Sequence, residues 1–379
     1  MTLTEIKKQF DAELPEYFDH HFDAFIAQYD KNDVLITDEA IDIIQQQTKL
    51  PDECMAVMRD VRDAFTADAD KHMAICFWRY VTVLMRKPWQ NYIYTDELLK
   101  VDGFEYRTCN LLMCALALDY TLTFRKPPED LNLENVGSFG GYTRQCFEMR
   151  GYWGINEFNW NLLGSGGCMF MQGALKFCPS YFSNDFLVLK KGDEYVSLVA
   201  GEHFVSAKGE LLSSADGSVC RTVFCRTDDK VTANRVSAKG VVSSAPEEFD
   251  LGEYEIFLEG DSHTMDIHIP SRMQYTVEVI RDAFLKALDF YGKYMPEHKT
   301  RAIVGYSWIF APQLESVLPE GSNILAVNNW LNILPTTGTY DHTLSFIRQG
   351  SSLSQRIAEQ EEQGNKFHFA VMYKPVETI

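Results

Sequence analysis

The sequence predicts an α+β protein, with a helical N-terminal domain over residues 1–165 followed by a mixed β-sheet domain over 166–379 with helices on both faces. Three observations carry this expectation. Apolar residues recur at helical spacing through residue 125. From about residue 168 the pattern changes to short alternating or continuous apolar runs, separated by Gly, Asp and Ser turns. From residue 253 the elements read β–β–α–β–α–β–β–α–β, and alternation of this kind implies a mixed sheet with helices packed on it.

In the first half, Phe10, Leu14, Tyr17, Phe18, Phe22, Phe25 and Ile26 form an apolar stripe that Pro15 interrupts. Asp38 and Glu39 open a helix carrying Ile41 and Ile44, and Met55, Met58, Val61 and Phe65 mark the buried side of the next. Lys71 to Arg86 and Cys109 to Phe124 are apolar enough to be the buried helices of a bundle. Lys126-Pro127-Pro128-Glu129-Asp130 reads as a linker, and the Gly- and aromatic-rich segment behind it as a flexible junction with close backbone approaches. The expected strands are Phe170 to Phe177, Phe186 to Lys190, Tyr195 to Val199, Val219 to Arg226, Glu253 to Glu259, Met265 to Ile269, Ala302 to Trp308, Ser322 to Val327, Leu344 to Gln349 and Phe367 to Tyr373. Short helices are expected over Pro312 to Leu318 and Ser351 to Gln363, the latter closed by Gly364.

Composition narrows the function. The chain carries 35 basic and 54 acidic residues, a net charge of −19, which argues against a general nucleic-acid binder. An apolar fraction of 46% supports ordinary cores. No apolar run approaches the ~18 residues of a membrane span, and the charged, amphipathic N-terminus does not resemble a signal peptide, so a cytoplasmic protein without membrane attachment is expected. The nine cysteines are scattered without a Cys-x-x-Cys pair and read as reduced core thiols. His20 and His21 are adjacent and do not share a helix face, so a metal role is not expected for them.

One stretch is suited to ligand binding. Met265, Ile267 and Ile269 alternate with Thr264, Asp266 and His268, and Pro270 ends the strand. A short polar loop leads to Thr276, a helix N-cap, with Glu278 in the first turn and Ile280, Phe284, Leu288 and Tyr291 on one face. A strand end beside a helix N-terminus offers free N–H groups and a positive dipole end to a phosphate. The sequence has no Walker loop, dinucleotide fingerprint, His-Glu-x-x-His or Gly-x-Ser-x-Gly motif.

Four segments resemble the two-domain acyltransferase family typified by the glycopeptide-antibiotic N-acyltransferases, which pair an N-terminal helical domain with a GNAT-like C-terminal domain. They are Arg150-Gly151-Tyr152-Trp153-Gly154-Ile155 through Trp160, Gly173-Ala174-Leu175-Lys176-Phe177, His268-Ile269-Pro270 with its helix, and Tyr306-Ser307-Trp308-Ile309-Phe310 through Pro319-Glu320-Gly321-Ser322-Asn323-Ile324. The resemblance implies transfer from acyl-CoA or acetyl-CoA, without a metal, to a small amine-bearing acceptor in a cleft between the domains. It places the thioester where Met265–Ile269 and Ala302–Trp308 splay, and the pyrophosphate on the helix beginning at Thr276. Ile269, Ser271, Arg272, Gln274, Tyr275 and Thr276 would then contact CoA. The glycine-rich, basic loop common at this place is not matched, and Arg272 is its only cation.

Acyl transfer to an amine needs a base and stabilisation of the tetrahedral oxyanion. His268 is the expected base, with a structural histidine bonding a backbone carbonyl as the alternative. Asp266 faces the same side and is placed to orient it. Ser307 is a candidate for protonating the thiolate or bonding the acyl carbonyl, and Tyr306 is a further candidate acid that ranks no higher than a core residue. His203 and His263 are expected to be exposed, in a hairpin and a turn. Trp308 reads as core packing or a wall of the acyl pocket, and Asn323 as a turn residue before a strand. The rival is a GNAT-like scaffold that has lost catalysis and works as a binding or interaction module.

Overall fold

The computed structural model describes residues 2–85, 94–270, 273–337, 351–363 and 367–379, and the backbone of 338 and 339. The chain forms two compact units, Met1–Met171 and Gln172–Ile379.

The first unit is helical: α1 (Leu3–Lys7), α2 (Phe22–Ile26), α3 (Asp38–Thr48), α4 (Asp52–Ala67), α5 (Ala69–Arg79), α6 (Tyr106–Tyr120), α7 (Glu129–Arg150) and α8 (Phe158–Ser165). Helix α6 is buried at every position from Thr108 to Leu118, which is why its apolar pattern runs all the way round. Its one buried amide, Asn110, donates from Nδ2 to the Asp96 carbonyl at 2.8 Å. Asp68 caps α5 by accepting from the N–H groups of Asp70 and Lys71. Pro15 splits the first apolar stripe as expected, standing before a 3₁₀ turn over Glu16–His21.

The linker expected at 126–130 is instead the entry to α7, with Pro128 at its N-cap. Pro and acidic residues mark a helix start as readily as a loop. Glycine inside α7 costs about 1 kcal/mol per residue in propensity. Gly140 has a packing reason, since a Cβ there would lie 3.2 Å from Thr48 Cβ on α3.

The short strand β1 (Phe170–Gln172) spans the boundary in sequence, and the strands of the second unit are β2 (Leu175–Tyr181), β3 (Phe186–Lys191), β4 (Glu194–Val199), β5 (Phe204–Ser206), β6 (Leu211–Leu212), β7 (Ser218–Arg221), β8 (Phe224–Arg226), β9 (Lys230–Val236), β10 (Val242–Asp250), β11 (Glu255–Leu258), β12 (His263–His268), β13 (Ala302–Ser307), β14 (Asn332–Thr339) and β15 (His368–Pro375). The helices are α9 (Val277–Tyr294), α10 (Asn323–Trp330) and α11 (Ser352–Glu362). The main sheet runs β2-β12-β13-β15-β14, a second sheet runs β10-β9-β4-β3-β11, and β6-β5-β7 form a small third one. Helix α9 covers one face of the main sheet. Tyr291 donates to the Phe177 carbonyl at 2.5 Å, and Phe284 packs edge-on against Phe177. Ala302, Val304, Leu334 and Tyr373 point the other way, into a core shared with Val188, Val199, Phe257 and Leu258 of the second sheet.

Several expected strands differ. Phe170 to Phe177 is broken by Gly173, whose φ of +60° turns the chain close against Ala283. Val219 to Arg226 is broken at Thr222, which leaves the sheet direction to donate to the Gly201 carbonyl. Ser322 to Val327 is the start of α10, not a strand. A short apolar run has no periodicity that separates the two, and Asn323 is therefore a first-turn helix residue. The neighbouring strand is β14 instead, while Leu344 to Gln349 and Gly364 lie outside the described residues. His263 opens β12 rather than sitting in a turn, and stacks on His298 at 4.5 Å.

Candidate functional site

The site is built by the way two central strands part. β12 and β13 pair in parallel over Thr264↔Ala302, Met265↔Ile303 and Asp266↔Val304. Beyond that point each stays with its outer neighbour. β12 follows β2 to His268↔Lys176, and β13 follows β15 to Ser307↔Ala370. The two strands therefore splay after Asp266 and Val304. Gly305 lies at the fork, where an added Cβ would come within 2.7 Å of Ile267 Cγ1. A side chain at that position would force Ile267 to shift.

Register assigns the side chains to faces, because paired residues share a face and successive residues alternate. Asp266, His268, Lys176 and Tyr306 fall on one face at the mouth of the fork. Ile267, Gly305 and Ser307 fall on the other, the face that α9 covers.

His268 Nε2 lies 3.7 Å from Asp266 Oδ2, with the two side chains 31% and 29% exposed. Burial pulls the imidazole down to about 4, and the Lys176 charge on the paired strand adds to it. Burial pushes the Asp266 carboxyl up to about 7, against the opposing effect of the Ile267 backbone N–H. At neutral pH the imidazole is therefore neutral, beside a carboxyl held above the usual carboxylate range. That arrangement can accept a proton, and the carboxylate favours the imidazolium that results.

After Pro270 the chain reaches α9. Thr276 is its N-cap, with Oγ1 accepting from the Val279 N–H at 3.4 Å. The first helical bond runs from Ile280 N–H to the Thr276 carbonyl, so the N–H groups of Val277 and Glu278 precede it and point out of the helix end. Gln274 is exposed, Ile269 and Tyr275 are partly buried, and burial raises the Tyr275 phenol. Ser271 and Arg272 lie outside the described residues.

The structure thus brings His268 and Asp266 together and sets Ile269, Gln274, Tyr275 and Thr276 along one strand–helix connection. It places Ser307 on the opposite face from His268, with its hydroxyl accepting from the Ile309 N–H at 3.3 Å. Tyr306 is 49% exposed, not core, and its ring packs against Phe369. Trp308 packs against the cluster of Leu314, Val317, Ile357 and Phe367. His203 leads into β5, its backbone bonded both ways to Thr222. In the first unit, Phe158 is a core residue and Trp153 stacks on Phe147 at 4.2 Å. Lys176 was not anticipated at the site, and its signal lies only in the antiparallel register of β2 with β12.

Among the described residues no group of three or more His, Cys, Asp or Glu could hold a metal ion, and no helix is long and apolar enough to cross a membrane.

Residues 169–365 match the family described as GNAT-like C-terminal domain. Two solved acyltransferase structures are similar to this chain at 15% identity and a TM-score of 0.50, with 96% of each chain covered. One is a mutant acyltransferase in complex with octanoyl-CoA, and the other is in complex with decanoyl-CoA and teicoplanin. At this identity the similarity shows the fold. No curated protein matches the chain in sequence.

Proposed function

The chain belongs to the family of the GNAT-like C-terminal domain, and on that premise we propose that it is an N-acyltransferase that moves an acyl group from acyl-CoA to a small amine-bearing acceptor. The observation that carries this is the end of parallel pairing at Asp266 and Val304, with α9 the next element of the chain after β12. The fork offers the thioester a slot between two strands whose edge groups no longer pair with each other. The α9 end offers the pyrophosphate N–H groups and a positive dipole. Ile269, Gln274, Tyr275 and Thr276, with Ser271 and Arg272, are the residues assigned to CoA. Solved acyltransferases of the same fold are in complex with octanoyl-CoA and decanoyl-CoA, which supports a medium-chain donor.

The proton path follows from the faces. The acceptor nitrogen attacks the thioester carbonyl, forming C–N, and its proton goes to His268. Asp266, 3.7 Å behind, favours the imidazolium as charge develops. The C–S bond breaks, and the thiolate takes its proton from Tyr306, which faces His268 across the fork. Ser307 keeps a hydroxyl proton to donate from the α9 face, towards the acyl carbonyl.

The test is binding and turnover with a CoA series. Octanoyl- or decanoyl-CoA should raise Tm, and His268→Ala should keep that rise while losing transfer by ~10²–10⁴-fold. No Tm rise with any chain length would overturn the reading and leave a GNAT-like binding module. Full transfer in the variant would remove His268 as the base.

A further inference from the structure

Two ionisable side chains of opposite sign stand on one face at the mouth of the fork. Asp266 lies two residues before His268 on β12, and Lys176 is the residue of β2 that pairs directly with His268. Directly opposed side chains stand about 4.5–5.5 Å apart at Cβ, and diagonal neighbours about 7–8 Å or somewhat less. The imidazole is therefore flanked by a carboxyl on its own strand and an ammonium on the next. Asp266 Oδ2 is 3.7 Å from His268 Nε2, and the Lys176 charge is felt at the imidazole. The two flanking groups do not neutralise each other. Among the described residues Asp266 makes its ion-pair contact with His268 alone, and burial rather than a neighbouring cation governs its carboxyl. Both side chains are only partly buried, so a solute reaches them.

A simple alkylamine meets this face badly. It arrives as an ammonium, which Asp266 attracts and Lys176 opposes at similar range. A molecule with a carboxylate close to its amine answers both groups, the nitrogen beside Asp266 and His268 and the carboxylate on Lys176. A lysine ammonium has three N–H donors, so it holds such a carboxylate alongside a protein partner.

We infer that the acyl acceptor is a small amino acid, seated with its nitrogen at His268 and Asp266 and its carboxylate on Lys176. This names the acceptor class of the acyltransferase reading above and rests on it. The nitrogen that is recognised is the nitrogen that attacks. The ammonium loses one proton to solvent at the open mouth, and the neutral amine then follows the proton path already given. The product is an N-acyl amino acid, with its carboxylate unchanged.

The experiment uses the full chain and ligand-observed NMR. The probes are L-leucine with L-leucinamide and isoamylamine, and β-alanine with β-alaninamide and ethylamine. At least one amino acid should saturate in the millimolar range and bind about tenfold or more tighter than both its amide and its amine. Lys176→Met should reduce that preference to about twofold or less, and Lys176→Arg should keep it. Circular dichroism melts establish that both variants fold, and the comparison in the unaltered chain needs neither. With octanoyl-CoA as donor, kcat/KM should follow the same order, with the acyl group found on the amine nitrogen by mass spectrometry. No preference for either amino acid, or a preference that survives Lys176→Met, overturns the inference. A Tm rise with octanoyl-CoA together with no such preference overturns this inference alone. Lys176-dependent amino acid binding with no Tm rise from any acyl-CoA overturns the acyltransferase reading, and the acceptor role with it.

Discussion

Asp266→Asn tests the electrostatics of the fork through stability. In the native chain burial raises the carboxyl from 3.8 to about 7. The folded state therefore binds more protons than the unfolded one across that window. The stability from this group is fully present below pH 3.8 and is lost as pH rises through about 7. A rise of that size corresponds to about 4 kcal/mol. The side chain is 29% exposed, so solvent screens part of it, and we expect roughly 1–2 kcal/mol. His268 works the other way. Its value falls from 6.5 to about 4, so its contribution is present above pH 6.5 and is lost as pH falls through 4. The two slopes oppose each other between these values, and melts of the unaltered protein will show little pH dependence from the pair. The asparagine variant removes one slope. Urea unfolding of both proteins from pH 4 to 8, with the transitions of the two units fitted separately, gives the difference directly. The stability of the variant relative to the unaltered protein should rise by roughly 1–2 kcal/mol across the range. A difference that stays constant, or that falls with pH, would show that the carboxyl is not held neutral by its surroundings.

Gly305→Ala places a methyl 2.7 Å from Ile267 Cγ1. It should destabilise the second unit by about 1–3 kcal/mol in urea melts, with Ile267→Val restoring part of the loss. Thr276→Ala removes the α9 cap. It should cost about 1 kcal/mol of stability and weaken acyl-CoA binding by calorimetry, whereas unchanged affinity would detach the helix end from CoA recognition.

Helix α9 was legible in the sequence because everything that specifies it is local. Thr276 caps it, and Ile280, Phe284 and Tyr291 of the expected stripe are buried. The end of β12 was legible for the same reason, since Pro270 has no N–H to give to the ladder. The Asp266–His268 contact follows from an i, i+2 spacing on a strand. Helix α7 and helix α10 were read as linker and strand because Pro, Gly and short apolar runs carry more than one local meaning. Which meaning holds is decided by packing, as Thr48 against Gly140 shows. The shifted pKa values were not legible, since the desolvation behind them comes from segments distant in sequence.

The choice between Tyr306 and Ser307 shows where local reading stops. The two residues are adjacent, both sit at the end of β13, and both carry a hydroxyl. Sequence reading named Ser307 as a catalytic candidate and left Tyr306 no higher than core. What separates them is the pairing Asp266↔Val304, which puts Tyr306 on the side of His268 and Ser307 under α9. A slip of one residue in that parallel register would exchange their faces. The register is held by contacts among β2, β12, β13 and β15, and by the fit of Gly305 against Ile267. None of these is adjacent to the choice in sequence. Recognising β12 and β13 as strands therefore left their faces undetermined, and the proposal of an acid opposite His268 depends on three residue pairs at the base of the fork.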